Sequence, residues 1–288
     1  MGGRASDGAA SLEFHRIDPT RDRDRLRRFL ARCDPEDYLL HGLPEWIREG
    51  RLWIATEDRE WVAFGRLHDL GAGEGWLSGF RVDPQRLRQR IGFRLLRVMV
   101  ADARSVGIHT LRAVIEDGNV ASRGLFLKSG ARAAFPLTLR CGAAGPTAET
   151  LLHRATSGES LDGPVGWLPS TTGFVDLLPG AEGGRFGRWR AGLIDRWVAE
   201  RKLFLGPGLA AAVQLDWWDE PRTLWVQPLR GEPRDVVAAL GQLTRAMQHA
   251  QWQAFLPSTD ELRAQYDGLS LTRHPMWGDR VQVYELRL

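Results

Sequence analysis

Val82-Asp83-Pro84-Gln85-Arg86-Leu87-Arg88-Gln89-Arg90-Ile91-Gly92-Phe93-Arg94-Leu95-Leu96 is the stretch that decides the fold. A strand-like run ends at Val82 and Pro84 forces the chain out of it. Apolar residues then recur at helical spacing from Leu87 through Ile91, Leu95, Leu96, Val98, Met99 and Val100, until Gly107 stops them. Such a junction presents backbone N–H groups at the positive end of a helix dipole, where a pyrophosphate can sit. Arg86, Arg88 and Arg90 add positive charge there. Taken alone, an ordinary connection with a solvated, arginine-rich first turn has the same pattern.

Working outward, Leu12–Ile17 reads as a first strand, Arg21–Ala31 as a helix after Pro19, and Leu43–Glu49 as a second short helix. Arg51–Thr56, Glu60–Leu70 and Gly75–Val82 follow as strands, joined by Asp58-Arg59 and Gly71–Glu74 into an antiparallel meander. Gly71-Ala72-Gly73-Glu74-Gly75 looks like a phosphate loop, but it runs into a strand where a dinucleotide fingerprint opens a helix, so it is a hairpin connection. Beyond the long helix, Thr110–Ile115 reads as a buried strand, Asn119–Lys128 as a helix closed by Gly130, and Ala131–Arg140 as a strand. The order is β-α-α-β-β-β-α-β-α-β.

Asn119-Val120-Ala121-Ser122-Arg123-Gly124-Leu125-Phe126-Leu127-Lys128-Ser129-Gly130-Ala131 is a second signature downstream of the first. Together the two resemble the acetyl-coenzyme A loop (V-x-P-x-x-R-G-x-G-x-G) and the following N-x-x-A-x-x-L-Y-x-K-x-G-F helix of the GNAT N-acetyltransferase superfamily. The resemblance covers roughly residues 12–140. Aligned through Val82 and Pro84, the family's loop Arg falls on Leu87, its two earlier glycines on Arg88 and Arg90, and its last glycine on Gly92. A register through Gln89-x-x-Gly92 instead displaces the Val-Pro spacing and the Leu95-Leu96 pair. Arginine at a glycine position requires a negative φ or tolerated strain. Phe126 stands where many members place a Tyr that protonates the departing thiolate, and Phe has no proton to give.

The resemblance implies an α/β fold with a mixed sheet, flanked by helices and splayed between its fourth and fifth strands. It implies direct transfer of an acetyl or short acyl group from acetyl-CoA to a primary amine, with no metal. Coenzyme contacts are then expected at Phe80, Arg81, Val82, Leu87, Arg88, Gln89, Arg90, Ile91, Gly92, Asn119 and Phe126, with backbone groups of Phe80 and Val82 against the thioester carbonyl. Glu116 and Asp117, at the exit of the fifth strand, and Glu74 are the nearest carboxylates for a catalytic base, and each also reads as a solvated loop acid. The alternative, drawn from Leu87, Arg90 and Phe126, is a catalytically inactive acyl-CoA-binding or scaffold protein of the same fold.

Residues 142–163 are rich in Gly, Ala, Thr and Ser and mark a linker. After it Lys202–Leu205, Leu209–Trp218 and Thr223–Leu229 read as strands, Asp235–Ala250 as a helix, Gln253–Leu256 as a strand, Asp260–Tyr266 as a helix, and Leu269–Arg273 and Gln282–Leu288 as strands. This is the first half's element order again, offset by about 145 residues. Its strand-to-helix junction, Pro228-Leu229-Arg230-Gly231-Glu232-Pro233-Arg234-Asp235, lacks the glycine spacing and carries two acids where phosphate would sit. The organisation expected is a flexible tail over 1–11, an acetyltransferase domain over 12–145, a linker over 146–163, and a degenerate second copy over 164–288 that binds no coenzyme. By position in the repeat, Tyr266 corresponds to Phe126. The second half is expected to shape part of the acceptor pocket and to stabilise the first through strands such as Leu215–Trp218.

The totals agree with two domains in 288 residues, 43% of them hydrophobic, with 12 Trp and 11 Phe for the cores. The formal charge of +3 and near-exclusive use of Arg over Lys point to composition rather than a nucleic-acid footprint. Two distant cysteines, Cys33 and Cys141, make neither a disulfide framework nor a thiolate metal site. No run approaches roughly 18 apolar residues, and the first residues lack an apolar signal core, so a cytoplasmic protein without a membrane partner is expected. Met1-Gly2-Gly3-Arg4-Ala5-Ser6 matches the loose myristoylation pattern but reads as a polar tail. The seven His make no zinc spacing, and neither a nucleophile elbow nor a triad is present. The partner expected is a small-molecule or peptide amine, for a monomer or homodimer.

Overall fold

The computed structural model of the chain describes residues 11–18, 20–40, 43, 51–146, 152–157, 159, 177–179, 186–188, 191–206, 209–214, 223–274 and 280–288. The chain divides into two compact units, residues 1–111 with Leu288, and residues 112–287. This division falls inside the fifth strand, whereas the boundaries at 145 and 164 are those of the sequence repeat.

The first unit is built on the expected meander. Strand β1 (Glu13–Arg16) pairs antiparallel with β2 (Arg51–Glu57), β2 with β3 (Glu60–Gly71), and β3 with β4 (Glu74–Val82). Asp58 and Arg59 turn β2 into β3 with φ of +49° and +66°, the mirror-image turn whose twist matches a two-residue hairpin. Helix α1 (Arg23–Cys33) sets Leu26, Phe29 and Leu30 on Leu52, Ile54, Trp61 and Phe64. Helix α2 (Ile91–Ser105) buries Leu95, Leu96, Met99 and Ala103. A Cβ on Gly65 would meet the Met99 sulfur at 2.8 Å. Because Phe64 and Gly65 are consecutive strand residues, α1 and α2 cover opposite faces of the meander. The helix expected from Leu87 therefore starts four residues later, after a 3₁₀ turn at Pro84–Arg86.

The second unit takes in β5 (Thr110–Glu116) from Arg112 onward, then α3 (Val120–Lys128), β6 (Arg132–Ala143) and the rest of the chain. After a short β7 (His153–Arg154) and a separate ladder of β8 (Leu177–Pro179) with β9 (Phe186–Arg188) comes α4 (Ala191–Ala199), a helix the sequence pattern did not disclose. Next are β10 (Leu203–Gly206), β11 (Leu209–Gln214), β12 (Thr223–Arg230), α5 (Pro233–Ala246), β13 (Gln251–Pro257), α6 (Asp260–Asp267), β14 (Thr272–Arg273) and β15 (Val281–Arg287). The expected helix Leu43–Glu49 and strand segment Leu215–Trp218 lie outside the described residues, except Leu43, which is helical.

The sheet of the second unit runs β5-β15-β6-β13-β12-β11-β10-β7, and in it the two halves of the sequence interleave. Strand β15, the last in the chain, lies between β5 and β6, two strands of the first half. Strand β6 pairs with β15 from Arg132↔Glu285 to Leu137↔Val281, and further along the same edge with β14 at Arg140↔Arg273 and Cys141↔Thr272. Its other edge pairs with β13 from Leu137↔Pro257 to Ala143↔Gln251. Each half thus lends the other a strand. The succession β10-β11-β12-α5-β13-α6 matches β2-β3-β4-α2-β5-α3 in type, and strands of both halves share one hydrogen-bonded sheet in this unit.

One buried ion cluster holds the exchanged strand. Glu285 on β15 is 4% exposed and accepts from Arg112 of β5 (Nε 3.0 Å, Nη2 2.9 Å) and from Arg132 of β6 (Nη2 2.8 Å). Burial would push its carboxyl up, but the Arg132 hydrogen bond and the charge of Arg112 hold it below the ordinary glutamate value. An apolar core of this unit gathers Val213, Leu224, Val226, Leu240, Leu243, Trp252, Leu256 and Tyr266.

Candidate functional site

The first unit carries the junction on which the sequence reading turned. Gly79, in β4, has φ +66°, and between Arg66↔Ser78 and Phe64↔Arg81 two residues of β4, Gly79 and Phe80, face the single residue Gly65. This is a β-bulge, which leaves the extra residue out of the ladder. Both glycines are required: Gly79 by its φ, and Gly65 by the close approach of Met99 and of the Phe80 ring at 3.4 Å. Sequence reading missed the bulge, although isolated glycines inside strand patterns are its signal.

Three residues past the bulge the chain leaves the sheet through Asp83. The Asp83 carboxylate, 7% exposed, accepts from the Gln85 N–H at 2.9 Å and pairs with Arg32 at 3.1 Å, while the Asp83 carbonyl accepts from the Arg86 N–H at 2.8 Å. The 3₁₀ turn follows, and then Arg88 and Arg90 take φ of +65° and +60°. These are the two positions that the resemblance assigns to glycine. The backbone there keeps the left-handed geometry and tolerates arginine, so the strained alternative is the one realised. Arg90 is the N-cap of α2 with no side-chain cap bond, and Gly92 lies in the first turn. Replacing Arg88 and Arg90 by glycine is accordingly expected to raise stability by up to about 1 kcal/mol at each position, read from urea midpoints at constant slope. A loss of stability at both would show that the arginine side chains hold the loop.

The other expected coenzyme contacts of this unit, with Arg86 and the candidate base Glu74, sort by their partners. Arg81 is committed to the buried Asp37 in a bidentate pair (Nε to Oδ2 2.6 Å, Nη2 to Oδ1 2.9 Å), and Arg86 to Glu57 at 2.8 Å. Leu87 is 57% exposed, and Arg88, Gln89 and Arg90 are exposed beside it. Val82 closes β4 opposite Ala63. Glu74 is buried at the other end of β4, eight residues or about 26 Å of extended strand from Val82. The strand therefore does not bring Glu74 to the loop.

In the second unit Asn119 caps α3, its side chain accepting from the Ser122 N–H at 3.0 Å. Glu116 and Asp117 occupy the turn before it. The Asp117 N–H donates to the Arg280 carbonyl at 3.0 Å, the Asn119 N–H donates to the Glu116 carbonyl at 2.9 Å, and Arg123 donates to the Asp117 carbonyl at 2.8 Å. These bonds fix the backbone of Glu116 and Asp117 in the turn before α3. Phe126 is 3% exposed and packs on Tyr284 of β15, ring centroids 6.4 Å apart. Tyr266, its counterpart in the repeat, is 1% exposed in the core, and burial pushes its phenol well above the ordinary value.

The second half has its own splay. Parallel β12 and β13 pair only from Thr223↔Gln251 to Trp225↔Gln253 and then part, while β11 follows β12 to Arg230 and β6 follows β13 to Pro257. The gap is closed from within. Gln227 Nε2 donates to the Phe255 carbonyl at 2.8 Å in a buried bond, and the Trp225 and Phe255 rings lie 5.6 Å apart beside it. Helix α5 begins at Pro233 with Glu232 as its N-cap and Asp235 in its first turn.

A bulged fourth strand leading through a turn with two left-handed residues into a long helix, together with the splay of fourth from fifth strand in the repeat, defines the mixed α/β fold of the acyl-coenzyme A N-acyltransferases. Residues 23–131 match the model of the acetyltransferase (GNAT) family. The chain is also similar to solved structures along almost its whole length. A candidate acetyltransferase from Thermoplasma acidophilum has TM-score 0.64 at 14% identity, covering 96% of this chain and 100% of that one. A GCN5-related N-acetyltransferase from Sphaerobacter thermophilus has TM-score 0.59 at 12% identity, covering 96% and 95%. A tandem GNAT protein from the clavulanic acid biosynthesis pathway has TM-score 0.56 at 14% identity, covering 96% and 98%. At these identities the likeness concerns fold. Among curated proteins no sequence matches. Among the described residues no group of three His, Cys, Asp or Glu could hold a metal ion, and no helix is long and apolar enough to cross a membrane.

Proposed function

We propose that the chain transfers an acetyl or short acyl group from coenzyme A to a primary amine of a small molecule or peptide in the cytoplasm, as a monomer or homodimer. The segment Gly79–Gly92 carries this reading: a bulge that frees strand backbone, then a turn that keeps glycine-type geometry at Arg88 and Arg90. Oriented backbone N–H groups suit both charge-bearing parts of an acyl thioester donor, its polarised carbonyl and its phosphates. The amine nitrogen bonds to the acyl carbon, the C–S bond breaks, and the amine proton passes to a base, for which Glu116 and Asp117 are the candidates. Residues 12–145 are the catalytic segment in this reading, 146–163 the linker, and 164–288 the copy without a donor site, because Gln227, Trp225 and Phe255 fill its splay.

An acyl-CoA-binding protein without transfer activity is the second reading. It is favoured by Phe126, which offers no phenol to the leaving thiolate. A thiolate leaves without such help, so absence of the acid slows the step and does not forbid it. Free-thiol release from acetyl-CoA with a panel of amines separates the two. Turnover that requires an amine, and falls on Glu116→Gln or Asp117→Asn with folding intact, supports transfer. Binding of acetyl-CoA without turnover on any amine supports the second reading.

A further inference from the structure

The outward face of α2 is a single row of arginines. At 3.6 residues per turn, Arg94, Arg97 and Arg104 fall within about 80° of one another, with Ala101 among them, along about 15 Å of helix, and Arg90 precedes them as the N-cap. All four are exposed. Arg94 lies over the Phe14 ring at 5.4 Å, and among the described residues none of the four forms an ion pair. The one acid of the helix, Asp102, is turned inward to Arg51 at 2.9 Å and to the Trp53 indole N–H at 3.0 Å. The row differs in this from Arg32, Arg51, Arg81, Arg86, Arg112 and Arg132, which all pair with carboxylates. At its head stand Arg88 and the exposed Leu87.

We infer that this face docks the acidic helix of a carrier protein that brings the acyl group as a thioester on a phosphopantetheine arm. The inference rests on the donor reading above, and adds a protein-borne donor to coenzyme A. Charge complementarity selects the occupant. A narrow row of positive charge one helix wide suits an acidic helix laid along it, with Leu87 as the apolar contact at one end. A nucleotide seated on the loop reaches the first turns of α2 and leaves Arg97 and Arg104 unused. A single nucleic-acid strand calls for aromatic platforms, and the exposed large apolar side chains among the described residues are Leu87, Val106, Val120 and Leu127, none of them aromatic.

The test uses the intact chain, a purified acidic acyl carrier protein in its phosphopantetheine form, and the variant Arg97→Glu/Arg104→Glu, which leaves the proposed donor loop untouched. Calorimetry is expected to show binding of the carrier that weakens about tenfold or more in the variant, weakens with added salt, and returns with Arg97→Lys/Arg104→Lys. The kcat/KM for acetyl loaded on the carrier is expected to fall in parallel, while that for acetyl-CoA stays within about twofold. No carrier binding, binding unchanged by the reversal, or tighter binding of an RNA oligomer than of the carrier overturns the inference. If the carrier binds as described but neither donor gives transfer, the docking face stands and the acyltransfer reading fails.

Discussion

Replacing Glu285 by alanine is expected to destabilise the second unit by about 3–5 kcal/mol, the range for removing one partner of a buried ion pair. The cost is that large because Arg112, with its side chain 1% exposed, would be left charged without its carboxylate between β5 and β15. Glu285→Gln keeps the shape and loses the charge, so it should fall between alanine and the native chain. Deletion of residues 281–288 removes the strand altogether and exposes the facing edges of β5 and β6, and should leave no cooperative unfolding transition for the unit. The pH dependence has a definite sign. The carboxyl is held below its ordinary value in the folded state, so the ion cluster contributes fully above the unfolded glutamate range, near pH 4.3, and its contribution is lost as pH falls through the lower folded value. Urea midpoints of native and Glu285→Gln chains should therefore converge in acid. A Glu285→Ala chain as stable as the native one would contradict the role given to the exchanged strand.

Gly79→Val is expected to lower acetyl-CoA affinity at least tenfold, about 1.4 kcal/mol, and to cost a further 1–2 kcal/mol of stability, roughly the penalty of the left-handed region. Gly79 has φ +66° at the bulge, where a β-branched residue would favour regular pairing and remove the break in the ladder. Binding is read by calorimetry and stability by denaturation of the same preparation. Val at position 79 with undiminished affinity would show that the bulge takes no part in holding the donor.

Much of the first half was legible because its signals are local. Periodicity located every described strand of the meander to within two residues, and Pro84 with Asn119 marked the entries to the turn and to α3. The start of α2 was misplaced because Leu87 extends the apolar spacing backward, while the positive φ of Arg88 and Arg90, invisible in their residue type, keeps those residues out of the helix. The left-handed loop geometry could be anticipated only through the alignment, since arginine carries no preference for it. Strand exchange was not legible. Residues 281–287 read as an ordinary apolar-rich strand, and nothing local says that Glu285 is matched to Arg112 and Arg132, 173 and 153 residues away. Helix α4 was not read from the sequence because it lies in a stretch crowded with glycine and tryptophan. The closure of the second splay by Gln227 likewise depends on a partner, Phe255, that lies 28 residues along the chain.

The most direct test of the account is the stoichiometry of acetyl-CoA binding to the full-length chain, measured by isothermal calorimetry with the Gly79→Val chain as comparison. One equivalent per chain is expected, with affinity lost in Gly79→Val, because the first half keeps the bulge and the left-handed loop while the Gln227 bond to Phe255 and the Trp225–Phe255 ring contact bridge the second splay. Two equivalents per chain, one equivalent that survives Gly79→Val unchanged, or no binding at all would contradict it.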